Sequence, residues 1–163
     1  MARAESGRPC VSGRALAAPG VELPESLTVW TGFLLHKAAQ RVHDRVEERL
    51  EPLGLRPRHV GVMRVLAAEG PHSQHALCER LRIDRTTMVS VVDDLERLGL
   101  AERQDDPADR RAYRVQLTRY GEERLAEACA VVNEAEEQLL APLSPEERVA
   151  LRTLLCRICG LHR

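Results

Sequence analysis

The sequence predicts a mainly α-helical protein that contains one small β-hairpin. Over most of the chain, apolar residues recur at the three- and four-residue spacing of amphipathic helices. A polar turn between two short alternating segments interrupts this pattern over residues 100–118. Because the chain has 163 residues, of which 44% are hydrophobic and 30% charged, we expect one domain with a tail and a modest core.

Residues 1–26 are expected to form a flexible arm, since they are rich in Ala, Gly, Pro, Ser and Arg and lack a periodic apolar pattern. No stretch of about 18 apolar residues occurs, and the N-terminus lacks the apolar core of a signal peptide. The sequence therefore predicts a cytoplasmic protein without a membrane span, whose five cysteines are reduced thiols.

Three helices are expected in the first half of the chain. The first covers residues 27–50, where an apolar residue recurs at every fourth position. The second, 57–68, begins with a proline, which is favourable at the first helical position. The third, 74–81, is short and follows Ser73, a suitable N-cap residue.

A fourth helix is expected from the N-cap Asp84 to residue 98. Gly99 suits the position after its end, because glycine adopts positive φ at little cost. The apolar residues of this helix have the spacing of one buried face, and they are Met88, Val91, Val92, Leu95 and Leu98.

The hairpin and two further helices complete the predicted fold. Two short strands, 100–104 and 112–118, enclose the polar segment 105–111, which is too rich in Asp and Pro for either strand. A long amphipathic helix follows over residues 121–141. Ser144 opens the last helix with a proline and a glutamate at the positions of a capping box.

The segment 73–118 has the order of a helix-turn-helix followed by a hairpin, which predicts a DNA-binding unit. In this motif the second of two helices joined by a tight turn enters the major groove, whose width of about 12 Å admits one helix. The tight turn falls at residues 82–84, so the helix after it is the predicted recognition helix. Its polar face and first turn supply the candidate DNA contacts, which are Arg85, Thr86, Thr87, Ser90, Asp93 and Arg97.

A polar helical face is by itself more often a solvated surface than a binding site. The arginine-rich hairpin beside it favours DNA binding, because a local positive surface suffices even at a net charge of −1. The arginine cluster spans residues 110–119, contains no acidic residue, and comprises Arg110, Arg111 and Arg114 in the hairpin and Arg119 directly after it. The N-terminal arm is either a disordered tail or a further basic segment that touches DNA.

From residue 53 to about residue 155 the chain resembles the MarR family of winged helix-turn-helix regulators. The strongest matches are LERLGLAER at 95–103, DPADRR at 106–111 and LTRYG at 117–121. Shorter matches are QHAL at 74–77, DRTTMV at 84–89 and LSPEER at 143–148. The resemblance implies a sequence-specific DNA-binding transcriptional regulator, by default a repressor, whose N- and C-terminal helices form a dimer.

The resemblance also implies roles for the hairpin, called the wing. Arg111 would enter the minor groove from the wing tip, Asp109 would orient it, and Arg110 would contact the DNA backbone. A narrow minor groove concentrates negative potential, which suits an arginine. The chain departs from the family pattern at Asp93-Asp94, where we expect a basic residue at one position. Base contacts are therefore expected to depend on the first half of the recognition helix and on the wing.

A homodimer is expected, because one recognition helix contacts too few base pairs for a specific site, whereas two cover a palindrome. The predicted dimerisation helices are 27–50 and 121–163, and the predicted DNA-binding lobe is 53–120. The expected apolar contacts of the last helix are Leu151, Leu154, Leu155 and Ile158. The alternative is that these residues only close the core of the monomer.

A small-molecule effector, often an aromatic anion, is a further implication of the resemblance. The candidate pocket residues are Trp30, His36, His43, His59 and Met63. Each of them also fits the simpler interpretation as an ordinary half-buried helix residue.

Thiol-redox or metal sensing is the alternative form of regulation, carried by Cys156, Cys159 and the nearby His162. The two cysteines lie at a helix C-terminus, where the helix dipole does not stabilise a thiolate, so this alternative is weaker. The chain lacks a glycine-rich phosphate loop and a nucleophile elbow, so we expect no enzyme, cofactor or bound metal. A protein-interaction module without DNA binding is disfavoured by the retained arginines of the wing.

Overall fold

The computed structural model describes the backbone of residues 23–106 and 109–161, and the side chains of these residues except 106 and 109–112. The helices are α1 (Glu25–Thr28), α2 (Thr31–Leu50), α3 (Pro57–Glu69), α4 (Gln74–Leu81), α5 (Arg85–Arg97), α6 (Arg119–Leu139) and α7 (Pro145–Ile158). The strands are β1 (Ala101–Asp106) and β2 (Asp109–Leu117), and a 3₁₀ turn, Glu51–Leu53, follows α2. The chain divides into two compact units, with the boundary after Arg41.

The fold class predicted from the sequence is confirmed: the described residues are mainly helical and include one antiparallel hairpin. Three helices, α3, α5 and α6, end or begin one or two residues from the predicted positions, which is the usual uncertainty of a helix end. No helix in the described part of the chain is long and apolar enough to cross a membrane.

The prediction of one continuous helix over residues 27–50 is wrong, because α1 ends at Thr28 and α2 begins at Thr31. The hydroxyl of Thr28 donates to the carbonyl of Glu25 (3.0 Å), which is the acceptor that the N–H of Val29 would use in a continuing helix. A side chain thus replaces the backbone bond at the point where α1 ends.

The predicted turn over residues 105–111 is shorter in the structure. The strands extend to Asp106 and from Asp109, and these two residues are paired. The pairing register shifts between Asp105 and Asp106, so the end of the ribbon contains an irregularity. The polar composition of residues 105–111 suggests a turn. Backbone hydrogen bonds hold a two-stranded ribbon that is exposed to solvent, so such a ribbon can extend through polar residues with little apolar surface.

The hydrophobic core lies among the end of α2, the helices α3, α4, α5 and α6, and the base of the hairpin. The predicted apolar face of α5 is confirmed, since Met88, Val91, Val92 and Leu95 are all buried. Leu98 packs against the core at its edge. The largest side chains that lie fully inside come from several elements and include Leu50, Met63, Leu77 and Val115. Because one face of α5 is anchored in this core, its opposite face is presented to solvent.

A candidate nucleic-acid interface on α5 and the hairpin

The turn between α4 and α5 is compact and held by hydrogen bonds. Arg82 ends α4 in the left-handed conformation (φ 51°), and the N–H of Ile83 donates to the carbonyl of Cys78 (3.1 Å). Asp84 then caps α5 by accepting the N–H of Thr87 at 2.9 Å. The hydrogen bonds from Thr87 hold the pKa of Asp84 below its usual value. The predicted helix-turn-helix is therefore confirmed.

The first half of α5 presents a polar surface. Arg85, Thr86 and Ser90 are exposed, whereas Thr87 is half-buried. The hydroxyl of Ser90 donates to the carbonyl of Thr86 (3.3 Å), so its oxygen remains an acceptor at the surface. These residues share the end of the helix at which backbone N–H groups point outwards, which is favourable for a phosphate.

The second half of α5 differs, because its acidic residues are paired with basic ones. Asp93 lies 2.6 Å from the guanidinium of Arg103 on β1, and Glu96 contacts the same guanidinium. Glu96 also accepts the backbone N–H of Arg103 at 3.0 Å. Asp94 accepts a hydrogen bond from Arg97 (2.8 Å), which holds the pKa of its carboxyl below the usual value. Arg97, a predicted DNA contact, is exposed but engaged with this neighbour.

The sequence alone does not predict these pairs. In it, the two adjacent acids Asp93 and Asp94 stand out only as a departure from the family pattern. The available signal was the three-residue spacing of Asp93 and Glu96, which places both on one helical face, and the single arginine in the strand that follows. The helical spacing could be recognised in the sequence, but the position of Arg103 against that face depends on how the hairpin packs.

The hairpin pairs regularly from Ala101 opposite Leu117 to Asp105 opposite Tyr113. Its outer edge also carries an isolated bridge, in which the N–H of His72 donates to the carbonyl of Val115 at 3.0 Å. The hairpin is thereby tied to the segment before α4 as well as to α5.

The predicted wing residues Asp109, Arg110 and Arg111 all lie in β2. Their side chains are outside the described residues, so the pairing of Asp109 with Arg111 and the minor-groove contact stay predictions. Arg114 is half-buried and lies opposite Gln104 in the ribbon. The sequence thus placed all four residues in the hairpin, and the structure assigns them to one strand.

The candidate pocket residues belong to two units of the chain. Trp30 and His36 lie in the first unit, where both are exposed. In the second unit His43 is exposed near Glu47, while His59 and Met63 are buried one turn apart on α3. A role of these residues in ligand binding stays a prediction.

A cavity of about 520 Å³ lies beside the C-terminal part of α2 and the turn that follows it. Its lining is rich in acids and consists of Asp44, Glu47, Glu48, Glu51, Gly54, Leu55 and Arg56. None of the five candidate pocket residues lines it. Because four carboxylates repel an anion, this cavity is unsuited to the expected aromatic acid.

The last helix presents apolar side chains to solvent. Leu154, Leu155 and Ile158 are exposed, and Leu151 is half-buried. Cys156 and Cys159 are free thiols at the end of the same helix. The part of the chain that the structure describes contains no group of three residues suited to hold a metal, and His162 lies outside it. Redox or metal sensing through these cysteines stays a prediction.

A helix-turn-helix that leads directly into a hairpin defines the winged helix-turn-helix class of DNA-binding proteins, and α4, α5, β1 and β2 have this arrangement. The sequence profile of the MarR family matches residues 53–112. Together with the similarity to solved regulators, described next, this match shows that the chain belongs to the MarR family of transcriptional regulators.

Three solved structures illustrate the similarity. A probable transcriptional regulator from Pseudomonas aeruginosa is 35% identical, with a TM-score of 0.75 over 81% of this chain and 98% of that one. The transcriptional repressor CouR, bound to a 23-mer DNA duplex, is 31% identical, with a TM-score of 0.78 over 85% and 99% of the two chains. BpsR of Bordetella bronchiseptica, whose DNA binding is regulated by 6-hydroxynicotinic acid, is 27% identical, with a TM-score of 0.75 over 83% and 97%.

Proposed function

We propose that this MarR-family regulator is a homodimeric repressor that binds a palindromic operator and is released from it by a small molecule. The observation that carries the proposal is the exposed polar row at the start of α5, which adjoins a hairpin rich in arginine. The likeness to CouR, which is bound to a DNA duplex in its solved structure, supports duplex DNA as the partner.

Each candidate residue receives a role from its position. Arg85, Thr86, Thr87 and Ser90 would contact base edges and phosphates in the major groove. In the wing, Arg111 would enter the minor groove, Asp109 would orient it, and Arg110 and Arg114 would contact the backbone. Arg97 would act on a phosphate while it remains anchored to Asp94. The DNA-binding lobe would then comprise residues 53–120.

The dimer would be formed by the terminal helices, within residues 27–50 and 121–163. Supporting this, α7 exposes Leu154 and Ile158 to solvent, with 52% and 67% of each residue accessible. A contiguous apolar face of this kind is costly to leave in water, and a second copy of the chain would cover it. Two recognition helices joined in this way would cover the two half-sites of a palindrome.

The effector would be a small aromatic anion. The regulation of BpsR by 6-hydroxynicotinic acid supports this class of ligand. The acid-lined cavity next to α2 disfavours an anion on electrostatic grounds. We therefore retain Trp30, His36, His43, His59 and Met63 as the candidate residues for binding the effector.

A gel-shift experiment with the full chain and the DNA upstream of its own gene tests the proposal. We expect retardation that a palindromic fragment competes away and that unrelated DNA of equal length does not. Absence of a shift at low salt would contradict DNA binding and favour a protein-interaction module. Aromatic acids, beginning with 6-hydroxynicotinic acid, are then added to the complex, and release of the operator identifies the effector class.

A further inference from the structure

We infer that Arg103 is a positioning residue for DNA recognition, because it fixes the base of the hairpin against α5 through Asp93 and Glu96. The inference rests on the proposed function, since it concerns how two DNA-contacting elements are held together. It gives the acidic residues of the recognition helix a purpose that their charge alone does not suggest.

The contacts of Arg103 join two elements at three points. Its guanidinium lies 2.6 Å from a carboxylate oxygen of Asp93 and also contacts the carboxylate of Glu96. Its backbone N–H donates to the other carboxylate oxygen of Glu96 at 3.0 Å. Because both the side chain and the main chain of one residue are bound, β1 is restrained in position and in rotation against α5.

The restraint continues into the wing. Arg103 pairs with Val115 in the ribbon, and Val115 is itself buried and bonded to His72 on the other edge. The arginines 110 and 111 lie in the same strand as Val115. Arg103 therefore restrains the regularly paired part of the ribbon, which ends at Asp105 opposite Tyr113, and through it the strand that leads to Arg110 and Arg111.

Because Asp93 is negatively charged, removing its charge changes DNA affinity in opposite directions depending on whether the residue only repels phosphates or also holds the wing. A carboxylate on a DNA-facing helix repels phosphates, so removing an acid that only repels would strengthen binding to every DNA. Removing an acid that holds the wing would instead weaken binding to the operator. The pairs are partly exposed, with side-chain exposures of 31% for Arg103 and 56% for Asp93, so the loss of folding stability should be small.

The experiment compares Asp93→Asn with the matched control Glu122→Gln, which removes an exposed acid at the start of α6. Binding to the operator and to unrelated DNA is measured for both variants, together with the thermal unfolding midpoint. For Asp93→Asn we expect about fivefold weaker operator binding, comparable to one lost hydrogen bond, with unrelated DNA bound no more weakly than by the wild type. A parallel gain on both DNAs, as expected for Glu122→Gln, would overturn the inference.

Arg103 needs its own test, because an arginine near DNA can also contact a phosphate. In Arg103→Gln we expect operator affinity to fall while the salt dependence of binding is retained. A slope reduced by about 0.9, with equal loss on unrelated DNA, would instead identify a phosphate contact and overturn the positioning role.

Different results would contradict DNA binding by the chain and the positioning role of Arg103. If the wild-type chain binds no operator, DNA recognition itself is contradicted. If the wild type binds its operator and the affinities of Asp93→Asn and Arg103→Gln equal those of the wild type, only the positioning role is contradicted. The unfolding midpoint distinguishes both outcomes from a variant that does not fold.

Discussion

The imidazole Nε2 of His59 lies 3.5 Å from a carboxylate oxygen of Asp94, so a buried side chain of α3 meets a half-buried one of α5. His59 is only 3% exposed. Its other ring nitrogen, Nδ1, accepts the backbone N–H of Arg56 at 3.1 Å. With Nδ1 as an acceptor, the neutral ring carries its proton on Nε2, towards Asp94.

This geometry predicts a loss of stability in mild acid. Burial lowers the pKa of His59 below 6.5, against the opposing effect of Asp94, and the nearby positive charges of Arg56 and Arg58 lower it further. The unfolded chain therefore binds this proton more readily than the folded one. The contribution to stability is complete above pH 6.5 and is lost as the pH falls through the folded-state pKa.

We expect His59→Asn to flatten this dependence, since asparagine can still accept the N–H of Arg56 and does not titrate. The free energy of unfolding is measured by denaturant titration at a series of pH values below 6.5. His75→Asn is the matched control, because His75 lies on the surface of α4, near Glu79. An equal change of pH dependence in both variants would contradict the role of His59.

A close approach between α6 and the hairpin predicts a second effect. A Cβ atom on Gly121 would lie 1.9 Å from the carbonyl oxygen of Leu100, which is backbone and cannot move aside easily. The N–H of Gly121 donates to the hydroxyl of Thr118 (2.9 Å), and that hydroxyl donates to the carbonyl of Gly99 (2.7 Å). These hydrogen bonds link the start of α6 to Gly99, the residue that follows the end of α5.

Gly121→Ala is therefore expected to destabilise the protein by about 1–3 kcal/mol or more, measured as the free energy of unfolding. Gly61→Ala is the control in the middle of α3, where a Cβ would meet no atom within 4 Å. This second substitution should stabilise the protein by about 0.5–1 kcal/mol, because alanine favours a helix over glycine. If both substitutions shift stability in the same direction, the close approach is not what requires glycine at position 121.

Much of this architecture follows from local signals. Ser73, Asp84, Thr118 and Ser144 each cap the helix that begins after them, and three of these four were identified from the sequence. Such caps can be predicted because the donor and acceptor lie within three residues. Gly99 likewise has the positive φ (70°) expected after the end of α5.

The candidate site was predictable only in part, for a physical reason. Periodicity separates the buried face of α5 from its polar face, so it identified Thr86 and Ser90 as surface residues. It does not say whether a charged residue on that face is free or paired. Asp93 is paired with Arg103, ten residues away, and this depends on the packing of the hairpin against the helix.

The minor-groove contact predicts the effect of a single arginine. We expect Arg111→Ala to weaken operator binding by about 1–3 kcal/mol and to lower the salt dependence, because one cation is lost from the DNA surface. Arg45→Ala is the control, since Arg45 is an exposed arginine on α2 that pairs with Glu48. Operator affinity is measured over a range of salt concentrations. Equal affinities for Arg111→Ala and the wild type would contradict the assignment of the wing tip.

The exposed apolar face of α7 gives the test of the dimer. Ile158→Lys places a charge on that face, and burying an unpaired ammonium between two copies is costly. We expect the variant to be monomeric at concentrations where the wild type is dimeric, as measured by sedimentation. Operator binding should weaken with it, because two joined recognition helices bind a palindrome far better than separate ones.

Thr153→Lys is the matched substitution for this test. Thr153 is exposed on the same helix, about 140° around its axis from Ile158, and its hydroxyl donates to the carbonyl of Val149. A lysine there adds the same charge on a different face, so the dimer should persist. If Thr153→Lys dissociates the dimer and Ile158→Lys does not, the subunits meet through another face of α7. If neither variant dissociates, the interface lies elsewhere, and the exposed leucines need a different partner.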